Sequence, residues 1–589
     1  MAFEYGSTGL GIQNPFKKVG LIQAIRGAIV SAMGIYCLLM VKGLVETNHK
    51  IQGWLTMAAG VVLLAEGLTA LGMGIFKIMR FFVGRSVPTS LSKNFAKSEA
   101  HMVESDVAYT SQQIEQMLQG RKNLTFTEPA DWFARLIHTL LPKLILMPYI
   151  YRNMAQRVVK ALAHTLIAFL CFALAWFSGT TGLSTINQTT ILDWLALALT
   201  VYLIHTWLGI RQPLERALQR RSEATRVKDL VLYITVAIFL PFALLYVNNH
   251  LVKLPKLHMT PSHFIWVICF LGLVVSAVFF FLLLQRMHRI DALTEVSEYR
   301  DNWQESIHPQ EMFIHFESIV MANRRFKEVP NRVYREFDAR LFEEGSNDKG
   351  HFKGEMIQET QPVFKELSHD KGFAIARTVL TVAGHSLLVL AACWLMRTVS
   401  SLAALDTLGK GDAMGPVITA SAGILMMGAI LWTFGGIMAN FALALWAEMQ
   451  FESLIVYFNC QGTYTASKLS TGASIYDSTR SENTVVRSSL TPWIIACRVV
   501  TCSFAGSGTK NLEYARHIVE MHKADQDLKA IVGEIVDFMK SRQAIAGIGN
   551  QKDLDAASHI YQVNAQTRVG YARAKEIGRI EDRETKDSD

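Results

Sequence analysis

Charge is scarce in this sequence, and long stretches have none. Only 18% of the 589 residues are Asp, Glu, Lys or Arg, against 50% apolar, and no charged side chain occurs between Asp412 and Glu448. Soluble globular domains carry about a quarter charged residues, so the deficit excludes an ordinary string of soluble domains. Cysteine chemistry is equally thin. Cys37, Cys171, Cys269, Cys393, Cys460, Cys497 and Cys502 show no CxxC spacing, which leaves no zinc site and no disulfide framework to read. Catalytic signatures are missing: there is no GxSxG elbow, no HExxH pair and no dinucleotide glycine fingerprint. The expectation is a non-enzymatic chain with no cofactor and no metal. The stretch AGSGTKN at 505–511 has the glycines and lysine of a phosphate loop but not their spacing, and a turn is the simpler reading. The opening MAFEYGSTGLGIQNPFKK lacks a short apolar core followed by a small-residue cleavage site, so the first apolar run is expected to be retained.

What the chain does have is apolar runs, at 22–44, 54–76, 158–178, 190–210, 229–249, 263–285, 375–397 and 415–438. Each approaches the roughly 20 residues a helix needs to cross about 30 Å of hydrocarbon. The fold class that follows is an all-α polytopic integral membrane protein with about eight transmembrane helices and a largely helical cytoplasmic portion. Small residues four apart, Gly27 and Ser31, then Ala70 and Gly74, predict close helix packing in the first two spans.

Orientation follows from loop charge, because Lys and Arg are retained on the cytoplasmic side. The loop after the fourth run carries Arg211, Arg216, Arg220, Arg221, Arg226 and Lys228, whereas SGTTGLSTINQTT before it is uncharged. This alternation accounts for the net charge of +8 without a nucleic-acid partner. It places both termini in the cytoplasm, the membrane being the inner membrane of a bacterium. The expected organisation is an N-terminal hairpin (1–76), a soluble helical segment (77–157), a four-helix membrane region (158–285), a second soluble helical segment (286–374), a second hairpin (375–438) and a C-terminal helical domain (439–589). The three soluble segments face one compartment and are long enough to pack jointly. Within them, the eighth helix is expected to run on toward about 460, EMIQETQPVFKEL at 355–367 to be helical, and two helices to follow near 511–543 and 552–580. The segment near 131–151, broken by Pro142 and Pro148, reads as an interfacial helix with Trp132, Tyr149 and Tyr151 at headgroup depth. The passage SSLTPWIIACRVVTCSFAGSG is rich in β-branched residues and open to a short strand or buried coil.

Ionisable groups inside hydrocarbon are costly and each needs a reason. Glu66 and His385 fall near the middle of the second and seventh runs. Facing one another they would bind or relay a proton or ion; the plainer reading is a carboxyl and an imidazole satisfied by hydrogen bonds within the bundle. Lys160, His164, Asp193 and Arg377, nearer span ends, read as anchors, and His205 as structural. Arg211, Arg216, Arg220, Arg221 and Arg226 are candidates for contact with anionic lipid or an acidic partner. Two functions remain. One is a structural or assembly subunit of a larger envelope complex, such as secretion or conjugation-like machinery, in contact with other subunits or copies of itself. The other is a proton- or ion-coupled transporter built on Glu66 and His385, the only case that calls for a small-molecule or ion substrate.

Overall fold

The computed structural model describes residues 13–83, 111–119, 132–182, 189–211, 227–250, 257, 259–288, 297–305, 340–346, 349–359, 363–367, 370–407, 414–471, 481–506, 514–522, 526–541 and 549–550. Among the described residues, eight helices are long and apolar enough to cross a membrane. They are α1 (Lys17–Glu46), α2 (Lys50–Met79), α3 (Tyr149–Thr180), α4 (Thr189–Arg211), α5 (Val227–His250), α6 (Ser262–Met287), α7 (Lys371–Leu402) and α8 (Met414–Ala447). Each contains one of the expected runs. Their outward faces carry large apolar side chains such as Leu39, Trp54, Phe239 and Phe270. A helix satisfies its own backbone, which is what a lipid-exposed segment requires, and the chain is an integral membrane protein.

The α1–α2 hairpin packs backbone against backbone. Gly20, Gly27 and Gly34 recur every seven residues on α1, opposite Gly74, Gly67 and Gly60 on α2. A methyl group on Gly20 would lie 2.7 Å from the Gly74 carbonyl oxygen, and one on Gly27 would collide with the Leu71 backbone. Asn14 ties the open end of the hairpin, its amide donating to the Lys77 and Ile78 carbonyls at 2.9 Å each. α7 packs on this hairpin and on α8. α8 packs in turn on α4 and α6, and α5 leans on α3 and α4. Pro241 is the one buried residue of α5, so nearly the whole helix faces outward.

Outside the bundle the described residues are mainly strand, which corrects the expectation of a largely helical cytoplasmic portion. A ten-stranded sheet stands at one end of the bundle. Its strands are β1 (Phe82–Val83), β2 (Ser297–Arg300), β3 (Trp303–Glu305), β4 (Arg340–Ser346), β5 (Lys349–Glu359), β6 (Val363–Lys365), β7 (Glu448–Thr471), β8 (Ser481–Gly506), β9 (Tyr514–His522) and β10 (Gly549–Asn550). α8 stops at Ala447 and the chain enters β7 with no linker, so the expected extension to 460 is strand. All 24 residues of β7 pair antiparallel with β8, about 80 Å of ladder if straight. β5 and β6 cover the other edge of β7, while β1, β9, β2, β3 and β10 pair successively along β8. Strands from all three expected soluble segments therefore meet in one sheet, which requires those segments to lie at the same end of the bundle.

The reason is a period of two, in β7 where a helix was expected and in β8 where a short strand or buried coil was. Val456, Phe458, Cys460, Leu490, Ile494 and Ala496 point to one face, under Leu528, Ile531 and Ile535 of the helix Gln526–Ser541. Ile455, Tyr457, Ile495, Cys497 and Val499 point to the other, under Ile114 and Leu118 of the helix Ser111–Leu118. Both faces are buried, so the strands read as continuous apolar runs. The segment 355–367 forms the end of β5 and then β6, not a helix, and 511–543 opens with β9 before its helix. HPQEMFIHFESIVMANRRFKEVPNRVYREFDARLFEEG at 308–345, whose pattern predicts two helices meeting at Pro330, ends in β4 from Arg340, a strand and not a helix; its residues before 340, and the helix expected at 552–580, lie outside the described residues. The 131–151 segment forms the helix Trp132–Leu140, a 3-10 turn Pro142–Leu146 and the start of α3. Leu144, Met147 and Tyr151 are buried in the core that joins bundle to sheet, so Tyr151 packs against protein and not on an open surface.

Candidate functional site

Two charged assemblies occupy the bundle. The first centres on Arg26 of α1. Its Nη2 lies 4.0 Å from Glu66 Oε1 on α2. One turn earlier, Gln23 Oε1 accepts a 2.7 Å hydrogen bond from buried Lys77 Nζ. Glu66 and Lys77 are eleven residues apart, three turns along one face of α2. Arg211, the last residue of α4, lays its guanidinium on the Trp432 ring of α8, 2.9 Å from the centroid. Its carbonyl accepts from Asn440 Nδ2 at 2.7 Å, and its side chain crosses Gly436, where any Cβ would collide with it. The double glycine Gly435–Gly436 thus serves close packing, of α7 at Gly384 and of Arg211. The charge of Arg211 reaches both Glu66 and Arg26.

His385 of α7 is buried, and the charges that reach it are the Arg26 and Lys77 cations. Glu66 pairs with Arg26, not with the imidazole. Glu66, His385 and Arg211, which belonged to two separate expectations, come together around Arg26; Arg216, Arg220, Arg221 and Arg226 lie outside the described residues. Arg26 Nε and His385 Nδ1 are shielded from solvent without a hydrogen-bond partner among the described residues.

The remaining expected residues are dispersed. His164 Nδ1 meets the Tyr202 hydroxyl at 2.7 Å. Arg377 stacks on Trp446, 3.5 Å from the ring centroid, and donates to the Leu445 carbonyl at 3.3 Å. His205 is exposed and Lys160 half-buried. Asp193 lines a 490 Å³ cavity with Phe169, Trp176, Ser262 and Trp266, between α3, α4 and α6.

The second assembly was not foreseen. Glu448, the first residue of β7, receives Arg286 of α6 through Nη2 at 2.7 Å and Nε at 3.0 Å on Oε1, and the Tyr151 hydroxyl of α3 at 2.7 Å on Oε2. The Arg286 and Glu448 side chains are 3% and 1% exposed. Cys502 of β8 places its thiol 3.5 Å from Oε1, and the Tyr151 ring meets Phe504 edge-on. Burial opposes ionisation of Glu448, but the Arg286 charge and the hydrogen bonds from Arg286 and Tyr151 outweigh it and hold the carboxyl below its usual range. Burial, then the neighbouring carboxylate, drives the Cys502 thiol far up. A fork of this kind joins two membrane helices to the first turn of the sheet and fixes their relative position. The signal in the sequence was Glu448 itself, the first charge after a long uncharged run.

No family model matches the chain, and no curated protein or solved structure does.

Proposed function

We propose that the chain is a non-enzymatic structural or assembly subunit of a larger envelope complex of the secretion or conjugation kind, with the sheet on the cytoplasmic face of a bacterial inner membrane. The observation that carries this reading is the Arg286–Glu448–Tyr151 fork. It fuses a long two-faced sheet to the bundle at a point with no linker, as suits a platform that transmits position rather than one that binds and releases a solute. The outward-facing length of α5 offers a lipid or subunit surface. The arginine-rich loop after α4 supports the orientation, with anionic lipid headgroups as its contact. Extraction in a mild detergent is expected to recover a stable assembly with other subunits or with copies of the chain. A monodisperse single copy that brings nothing along from its native membrane would contradict the reading.

A proton- or ion-coupled transporter is the second reading, and the convergence of ionisable groups on Arg26 is the observation in its favour. It requires Glu66→Gln and His385→Ala each to abolish pH-dependent flux in folded, inserted protein. Under the assembly reading both variants retain the activity of the host system.

A further inference from the structure

We propose that the cavity between α3, α4 and α6 binds an alkylammonium cation, with Asp193 as the counter-charge and Trp176 and Trp266 as aromatic walls, the ammonium being supplied by a lipid headgroup or by a free organic cation. This inference rests only on the chain being a membrane protein and does not depend on its assembly role.

Three helix ends build the cavity. Tyr151 of α3 and Arg286 of α6 meet Glu448 at the sheet, so the last turns of α3 and the first turns of α6 lie at the far end of the bundle. The space there measures 490 Å³, within the range of about 300–1,000 Å³ in which small-molecule pockets fall. Phe169, Phe172 and Trp176 line it at steps of three and four, which is one face of α3. Ser262 and Trp266 stand one turn apart on α6. The Trp266 ring meets that of Phe169 with 5.0 Å between centroids and 73° between planes, so the two rings form the corner of a cage.

Charge and depth select the ligand. Asp193, in the second turn of α4, brings the one charged group to a lining that is otherwise aromatic and aliphatic apart from the Ser262 hydroxyl. It has no ion-pair partner among the described residues, and the loop SGTTGLSTINQTT that leads into α4 carries no charge. A carboxylate inside the bundle is costly unless a cation completes it. The face of tryptophan attracts cations, and cages of aromatic rings are how quaternary ammonium groups are recognised. Phe169 lies about 10 Å deeper than Trp176 along α3. A polar mouth thus grades into an apolar floor, which suits a cation that carries an apolar body. Trp176 and Trp266 are 55% and 56% exposed, and the cavity opens between them toward the side of the bundle.

The test uses the full chain in a mild non-ionic detergent. Heat unfolding is followed while benzyltrimethylammonium, its uncharged carbon isostere neopentylbenzene or the anion benzenesulfonate is titrated, since a ligand of the native state raises its stability saturably. Short-chain phosphatidylethanolamine and phosphatidylglycerol are titrated in parallel. Saturable protection by benzyltrimethylammonium beyond that given by its neutral and anionic counterparts supports a free cation. Protection by phosphatidylethanolamine beyond that given by phosphatidylglycerol supports the lipid head. Asp193→Asn and Trp266→Leu should each weaken the response about fivefold, while Trp54→Leu, an exposed tryptophan on α2 outside the cavity, should leave it unchanged. Where Asp193→Asn fails to fold, the ranking of the probes on the wild type decides. Absence of a preference for the ammonium probe in both series overturns the proposal, and is the result expected if Lys253 or Lys256, which precede α6 in the sequence, already answers Asp193. An unweakened response in folded Asp193→Asn overturns it equally, and either failure leaves the assembly reading standing.

Discussion

Replacing Glu448 by Gln keeps the volume of the side chain and removes its charge, which makes it the sharpest probe of the joint between bundle and sheet. Arg286 would remain 3% exposed with its guanidinium still aimed at the site and no carboxylate to receive it. Breaking a buried pair on one side costs about 3–5 kcal/mol, because the partner charge is stranded, whereas replacing both by apolar residues is often neutral. Glu448→Gln, Glu448→Leu and Arg286→Met should each destabilise strongly, and Arg286→Met with Glu448→Leu should recover most of the loss. Tyr151→Phe, which removes one hydrogen bond to a charged group, should cost about 1.5–3 kcal/mol. Denaturant unfolding in mixed micelles, read by tryptophan fluorescence across the four-way cycle, gives the coupling; about 2 kcal/mol or more is expected for groups sharing one network. Hydrogen exchange gives its location, with the amides of Met449 to Phe451 losing protection before those near Phe458. Single variants whose effects add to within about 0.5 kcal/mol, or whose β7 amides stay protected, would refute the reasoning.

Gly27→Ala should loosen the α1–α2 hairpin by about 1–3 kcal/mol through overpacking, while Gly72→Ala, where nothing lies within 4 Å, should be neutral or stabilise by up to about 1 kcal/mol; paired thermal melts separate them. The Glu448 carboxyl is held below its unfolded value of 4.5, so its contribution is fully present above that pH and is lost as pH falls through the lower folded value. Acid unfolding of the wild type should therefore steepen below about pH 4.5, and the double apolar variant should lose that component. Cys502 is buried with its thiol pKa driven up, and it should resist maleimide at pH 8 until the chain is denatured. Labelling of Cys502 in native protein, mapped by peptide mass, would count against the joint.

The eight membrane helices were legible because an apolar run of the right length has few alternatives. The sheet was not. In FESLIVYFNC the alternating faces are both apolar, and the absence of charge from Met414 onward let the helical reading run past Ala447. HFKGEMIQE at 351–359 holds good helix formers, yet pairing with β7 makes it a strand, tertiary context overriding propensity. Steps of four picked out Gly27 and Gly74 but missed the sevenfold glycine repeat that brings the helices together, although Gly20, Gly27 and Gly34 stand in plain order. Depth along a run placed Glu66 and His385 at one level. It carried no information on helix rotation, which turns Glu66 toward Arg26. Arg211 looked like a loop charge, and only the fold shows it folded back over Gly436.

The most direct test of the architecture is paired-cysteine cross-linking in native membranes. Asn302→Cys with Thr491→Cys joins β8 to the segment after α6, where the native side chains meet at 3.0 Å; Lys353→Cys with Gln461→Cys joins directly opposed, exposed residues of β5 and β7. Both pairs should form disulfides under mild oxidation, and an impermeant thiol reagent should block both from the same face of the membrane. Failure of either pair in folded protein, or blockage of the two from opposite faces, would contradict a single sheet fused to one end of the bundle.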